Sequence, residues 1–195
     1  MKVVTIQASP RSTGNTATIL EWVEEELKKN GHETERIDLA RDPLYDCRGC
    51  YFCQAQENYG DCKITRDAPP GEDCAKEVFE KMGAADAIVL ASPLYCWSFP
   101  AHVHAMFHRS ISLVRGYGTP EQKTLVQGKR AALLVTCAGA VEDNADLVGP
   151  QFDRVCKFLM LEKAGELIVP ECMEPAVLED DVRTKAAELA KQIAG

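Results

Sequence analysis

The sequence predicts a three-layer α/β fold: one domain over residues 1–195, built on a five-stranded parallel sheet of order 2-1-3-4-5, with a cysteine-rich insertion at about 40–73 after the second strand. Three observations lead there. Short apolar runs rich in β-branched residues alternate with longer stretches in which apolar residues recur at helical spacing. Such alternation calls for parallel strands joined by right-handed helical crossovers. A loop rich in Ser, Thr, Gly and Asn follows the first apolar run, and periodicity disappears between the second strand and the next helix.

Residues 3–8 form the first predicted strand, and in residues 16–30 the apolar residues Ile19, Trp22, Val23 and Leu27 keep helical spacing. Gly31 stops that helix, and residues 33–39 give a second strand with Ile37 and Leu39 facing inward. The next segment is broken by Pro43, Gly49, Gly60, Pro69, Pro70 and Gly71. A long irregular stretch inside a compact domain points to function or disorder. A helix over 74–82, a strand over 87–91 and a helix from Pro100 to about 114 follow. Residues 129–137 read as a buried strand, 151–161 as a helix, 166–169 as the fifth strand and 181–193 as a closing amphipathic helix.

This pattern most resembles the flavodoxin-like arrangement, in which ligands bind beyond the carboxyl ends of the strands where the strand order reverses. Three loops lie at that end, over residues 9–16, 92–99 and 137–144.

Composition narrows the function classes. At 46% apolar residues the chain has ample material for a core, and a net charge of −8 argues against nucleic acid or an anionic membrane as partner. The apolar stretches are too short to span a bilayer. Nine cysteines, an odd count with no leader ahead of them, do not read as a secreted disulfide framework, and a reducing cytoplasm fits better.

The first loop offers hydroxyls from Ser9, Ser12, Thr13 and Thr16, an amide from Asn15 and a sharp turn at Gly14. Free N–H groups and the positive end of the following helix make an anion site, to which Arg11 can add a charge-assisted bond. The loop has neither G-x-x-x-x-G-K-[ST] nor G-x-G-x-x-G, which favours a mononucleotide over ATP or a pyrophosphate cradle. An ordinary βα turn with a good cap is the bland alternative.

The loop from Ser92 to Phe99 follows a buried strand and combines a rigid Pro93 with Leu94, Tyr95, Cys96 and Trp97. A flavin ring needs flat apolar faces and a few amides, which such a loop supplies. The alternative is an aromatic cap on the core. His102, His104 and His108 fall in one predicted helix without a third ligand on their shared face, so they are read as lining a subunit contact or the flavin cleft. Residues 116–127 read as a connection over a pocket or a plain surface loop, and Glu142, Asp143 and Asn144 as a contact or a solvated turn.

Cys47, Cys50, Cys53 and Cys62 are spaced C-x2-C-x2-C-x8-C. Repeated two-residue gaps let three sulfurs converge on an iron-sulfur cluster. Zinc, free or redox-active thiols, and small residues in a loop covering a neighbouring subunit stay open as readings. Cys74, Cys156 and Cys172 lie outside the spacing and read as buried small residues.

The SPRSTGNT loop, the CRGCYFC segment with Cys62, and ASPLYCWSFPAHVHAMFHR resemble the NAD(P)H-dependent FMN reductase group of flavodoxin-like proteins, particularly its iron-sulfur flavoprotein branch. The resemblance covers residues 2 to about 140. It implies FMN with its phosphate on Ser9, Arg11, Ser12, Gly14, Asn15 and Thr16, and its ribityl chain and ring on Pro93, Leu94, Tyr95, Cys96 and Trp97, with Cys137 to Gly139 nearby. It also implies a [4Fe-4S] cluster on the four cysteines, NAD(P)H as reductant, and a homodimer or homotetramer. The expected activity is reduction of a quinone or another flavin, with no side chain required as acid or base. The alternatives are an electron carrier reduced by ferredoxin without NAD(P)H activity, and a cofactor-free scaffold.

Overall fold

Strand β1 (Lys2–Gln7) is a central strand, and Val3, Val4 and Ile6 are buried on alternate faces of the sheet. It pairs in parallel with β2 (Glu33–Asp38) on one side and β3 (Ala87–Pro93) on the other. A short antiparallel hairpin, β4 (Val114–Arg115) with β5 (Lys123–Thr124), stands apart from this sheet. Strands β6 (Arg130–Thr136) and β7 (Glu162–Val169) complete it, giving the order β2-β1-β3-β6-β7. Counted within the main sheet alone, that is the expected 2-1-3-4-5. The coordinates are a computed structural model that describes residues 1–173, 178 and 180–195.

Helices α1 (Asn15–Lys29) and α6 (Asp180–Ala194) cover one face, where Ile19, Val23, Leu27, Leu189 and Ile193 pack on Val3, Val89 and Leu134. The insertion carries two 3-10 turns, Phe52–Gln54 and Gln56–Asn58, and one short α-helix, α2 (Lys63–Asp67). The opposite face is covered by α3 (Ala75–Ala84), α4 (Ala101–Arg109) and α5 (Val148–Leu159). Phe79, Val103, Met106 and Phe152 pack there against Ile6, Leu90 and Leu133. Among the described residues no helix is long and apolar enough to cross a membrane.

Three elements depart from their expected bounds by three residues or more. Helix α4 ends at Arg109, short of 114, and a 3-10 turn over Ser110–Leu113 follows. The reason lies in the insertion, whose Gln54 amide donates to the carbonyls of Ile111 and Val114 at 2.9 and 3.1 Å while Tyr59 donates to Leu113 at 3.2 Å. Those carbonyls no longer need helical partners. Helix α5 starts three residues early, at Val148, with Pro150 in its first turn, where a missing N–H costs nothing. Strand β7 starts at Glu162 because it is an edge strand, on which the charged Glu162 and Lys163 stay exposed.

Candidate functional site

Strand β1 feeds α1 on one face and β2 feeds α3 on the other, so a crevice opens beyond the carboxyl ends of β1 and β3. A cavity of about 270 Å³ occupies it. Ser9, Arg11, Gly14, Asn15 and Thr16 line one wall, Pro93, Leu94 and Tyr95 another. Thr136, Cys137, Ala138, Cys172 and Met173 close it.

Helix α1 begins without a side-chain cap: Gly14 is its extended N-cap residue, and the ladder starts with Thr18 N–H donating to the Gly14 carbonyl at 2.9 Å. The backbone N–H groups of the first turn therefore have no intrahelical acceptor, and they carry the positive end of the helix dipole. Ser9 folds the loop by accepting from the Arg11 N–H at 3.2 Å, and the Gly14 N–H donates to the Arg11 carbonyl at 3.2 Å. A Cβ on Gly14 would sit 2.9 Å from the Arg11 Cβ, so only glycine lets the turn close this tightly. Asn15 donates through Nδ2 to the Cys172 carbonyl at 2.8 Å, while its Oδ1 is buried without a partner. The Thr16 hydroxyl turns inward to Thr136. Ser12 is exposed and stands off the cavity wall.

Tyr95 and Ser98 exchange backbone bonds of 2.9 and 3.0 Å, which places Cys96 and Trp97 at the tip of a tight turn with φ of 49° and 59°. Two non-glycine residues in the left-handed region cost of order 1 kcal/mol each, a conformation concentrated at functional sites. Tyr95, which lines the cavity, is 47% exposed, and Trp97 is 63% exposed at the turn's tip, outside the cavity lining, as is Cys96. Gly139 lies behind, its carbonyl accepting from Glu171 N–H at 3.1 Å and from the Cys137 thiol at 3.3 Å. Burial pushes the Cys137 thiol up, and it pushes Cys172 up to about 11, so both face the cavity as neutral thiols near pH 7.

Helix α4 ties the loops together. His102 bonds through Nε2 to the Ala8 carbonyl at 2.8 Å, at the root of the first loop. His104 Nε2 lies 3.0 Å from the Ser98 hydroxyl, at the base of the aromatic turn. Burial, with His108 nearby, lowers the His104 pKa. His108 reaches the other side, 3.9 Å from Asp46. Spacing places these histidines on one helix; it does not reveal that each serves a different loop.

Cys47, Cys50, Cys53 and Cys62 all line a second cavity of about 380 Å³. Among the described residues no three His, Cys, Asp or Glu side chains gather closely enough to hold a single metal ion. The donor set nevertheless suits a group wider than one ion. Gly49 N–H donates to the Cys47 sulfur at 3.5 Å and the Gln54 amide to the Cys53 sulfur at 3.6 Å, contacts that stabilise anionic sulfur. Burial pushes the Cys53 thiol up, which that amide opposes. An open hollow of about 420 Å³ adjoins, with Tyr45, Arg48 and Lys63 on its walls.

Thr136, Cys172 and Met173 are site residues that sequence reasoning missed. Their signal was position: each lies at or just after the carboxyl end of β6 or β7, the same edge as the other loops.

Comparison with known proteins agrees with this architecture. An iron-sulfur flavoprotein of Methanosarcina thermophila is 34% identical over 115 residues, 59% of this chain and 55% of that protein. This chain thus spans about half the length of that relative. An iron-sulfur flavoprotein of Archaeoglobus fulgidus is 28% identical over 194 residues, covering 100% of this chain and 79% of its own. Among solved structures, an FMN-dependent NADH-azoreductase of Bacillus anthracis in complex with FMN shares the fold, with a TM-score of 0.73 at 15% identity over all of both chains. The model of the NADPH-dependent FMN reductase family matches residues 1–147. Matched over most of its length and carrying the fold, the chain belongs to the NADPH-dependent FMN reductase family.

Proposed function

We propose that this chain is an FMN-dependent oxidoreductase that draws electrons from NAD(P)H and passes them to a quinone, another flavin or a [4Fe-4S] cluster of its own. The observation that carries the reading is the cavity under the uncapped first turn of α1, at the crevice between β1 and β3. The N–H groups of that turn hold the phosphate, with Arg11 and the Ser9 turn around it and Ser12 outside the cavity wall. The orphaned Asn15 Oδ1 accepts from a ribityl hydroxyl, which satisfies a buried acceptor that the protein leaves open. Pro93, Leu94, Tyr95, Cys96 and Trp97 place the ring, and Cys137 to Gly139 back its polar edge. When bound, FMN supplies the hydride chemistry and the cluster supplies single-electron transfer. The chain's part is to position and to exclude water; no side chain is assigned as acid or base.

Cys47, Cys50, Cys53 and Cys62 hold the cluster on this reading, which the shared cavity and the N–H donors to sulfur support. Residues 1–195 act as one domain that assembles as a homodimer or homotetramer. The names of the archaeal relatives favour the same two cofactors.

The test is protein purified without oxygen, assayed for flavin, iron and acid-labile sulfide, then mixed rapidly with NADH or NADPH. Bound FMN bleached by either nicotinamide supports the reductase. FMN that stays oxidised with both but is bleached by reduced ferredoxin supports a second reading, an electron carrier without NAD(P)H activity, which the four thiols around one cavity favour. A protein that binds no FMN sinks both.

A further inference from the structure

Arg109 closes helix α4 with a side chain that is fully buried, as is that of Asp73. Its two Nη atoms meet the two Asp73 oxygens at 3.0 and 2.9 Å, a bidentate pair. The same guanidinium donates to the Tyr45 carbonyl at 2.8 Å and to the Thr65 hydroxyl, which in turn donates to Asp73. Tyr45 precedes Cys47 and Thr65 follows Cys62, so one cation fastens the chain on both sides of all four cysteines.

The pairing leaves one donor over. Arg109 Nε is buried with no partner, and Arg109 lines the cavity that the four cysteines line. Its charge lies within electrostatic reach of the Cys62 sulfur. A buried N–H without an acceptor is costly, and this one belongs to a side chain on the wall of the four-cysteine cavity, where an entering anionic group could accept from it. Cluster potentials respond to nearby charge and to hydrogen bonds on sulfur: both favour the reduced, more negative form and raise the potential.

We propose that Arg109 is the positioning residue of the four-cysteine segment and that its Nε–H, directed at sulfur beside Cys62, raises the reduction potential of the cluster held there. This rests on the cluster reading given above. A merely structural ion pair would order the segment and leave the potential unmoved.

The experiment compares wild-type protein with R109K, R109Q and T65V after anaerobic loading with iron and sulfide, each checked for FMN binding as a sign of an intact fold. Hydrogen exchange over residues 46–64 is followed in the metal-free proteins, and the cluster potential by redox titration with electron paramagnetic resonance. R109Q and R109K are expected to exchange at least about tenfold faster over that segment. The potential should fall most in R109Q, less in R109K, and stay at the wild-type value in T65V, which loosens one strap without touching the Nε–H. If R109Q takes no cluster, the potential of R109K against T65V decides. Equal potentials in wild type, R109K and R109Q, or a drop in T65V as large as in R109K, would overturn the tuning role. Unchanged exchange in R109Q would overturn the positioning role. A wild-type protein that binds no iron sinks the cluster reading itself, a result separate from either.

Discussion

Thr16 Oγ1 lies 2.7 Å from Thr136 Oγ1, a buried bond that joins the first turn of α1 to the last residue of β6. The hydroxyl of Thr16 is therefore spent on the sheet, and the N–H groups of its turn are held still against the strand that forms the cavity's far wall. Substituting T136V strands a buried hydroxyl and should destabilise the fold by about 1–3 kcal/mol. The double variant T16V/T136V should recover part of that loss, because neither polar group is left alone. A double-mutant cycle from urea unfolding checks both, and a fully additive double variant would deny the bond any weight.

Gly14 sets the curvature of the anion loop, and G14A drives a Cβ to 2.9 Å from the Arg11 Cβ. The loop must open, which pulls N–H groups away from any phosphate. FMN affinity should fall about tenfold or more, the equivalent of one lost charge-assisted bond at ~1.4 kcal/mol. N15L, which fills the cavity wall and removes both amide atoms, should fall further still. Quenching of flavin fluorescence on titration reads both; wild-type affinity in N15L would put the ribityl chain elsewhere.

Acid should act at two places for different reasons. Burial works against charge on Asp73, yet the bonds from Arg109 and Thr65 outweigh it and hold the carboxyl below its usual range. A lowered carboxylate pKa contributes stability that is full above the ordinary value near 3.8 and is lost as pH falls through the lowered one. His104, lowered chiefly by burial, contributes stability that is full above its ordinary 6.5 and is lost as pH falls through its lowered value. Urea midpoints should therefore hold from pH 8 to about 6.5 and decline below that towards pH 5 in the wild type, and stay flatter in H104Q. An equal decline in the two proteins would assign it to another group.

Thiol chemistry should sort the cysteines. Cys50 and Cys96 are exposed, whereas burial pushes Cys74 up to about 11 and Cys156 up to about 12. In the metal-free protein at pH 8, iodoacetamide should modify Cys50 and Cys96 first and leave Cys74 and Cys156 unmodified until urea unfolds the chain, as mass spectrometry of digests would show. Early modification of Cys156 would contradict its burial on the core side of α5.

The strands and the first loop were readable in the sequence because their signals are local: β-branched runs in Val3 to Ile6 and Ile88 to Leu90, and cap chemistry packed into Ser9 to Thr16. The hairpin β4–β5 escaped notice because two residues per strand leave no period to detect. Buried charge was equally silent. Arg109 and Asp73 are 36 residues apart, and Glu24 is a buried residue of α1 accepting from Thr5 at 2.6 Å and from Arg36 at 2.8 and 2.6 Å. A charged residue in a sequence reads as surface, and only the partner that folding brings to it makes burial tolerable. The cavity residues Thr136 and Cys172 stayed hidden for a related reason: nothing in a lone threonine or cysteine marks it until the sheet order sets its strand beside α1.

Three residues of the nine-residue α4, His102, His104 and Arg109, bond to Ala8, to Ser98 and to both flanks of the cysteine segment. The insertion is consequently not a detachable cassette. Moving residues 40–73 onto another sheet of this type would leave behind the guanidinium that clamps them, and a chimera has to carry the helix along with the loop. Lineages that lose the cysteines would likewise be free to let Arg109 and Asp73 drift together, since neither can stay buried and charged without the other.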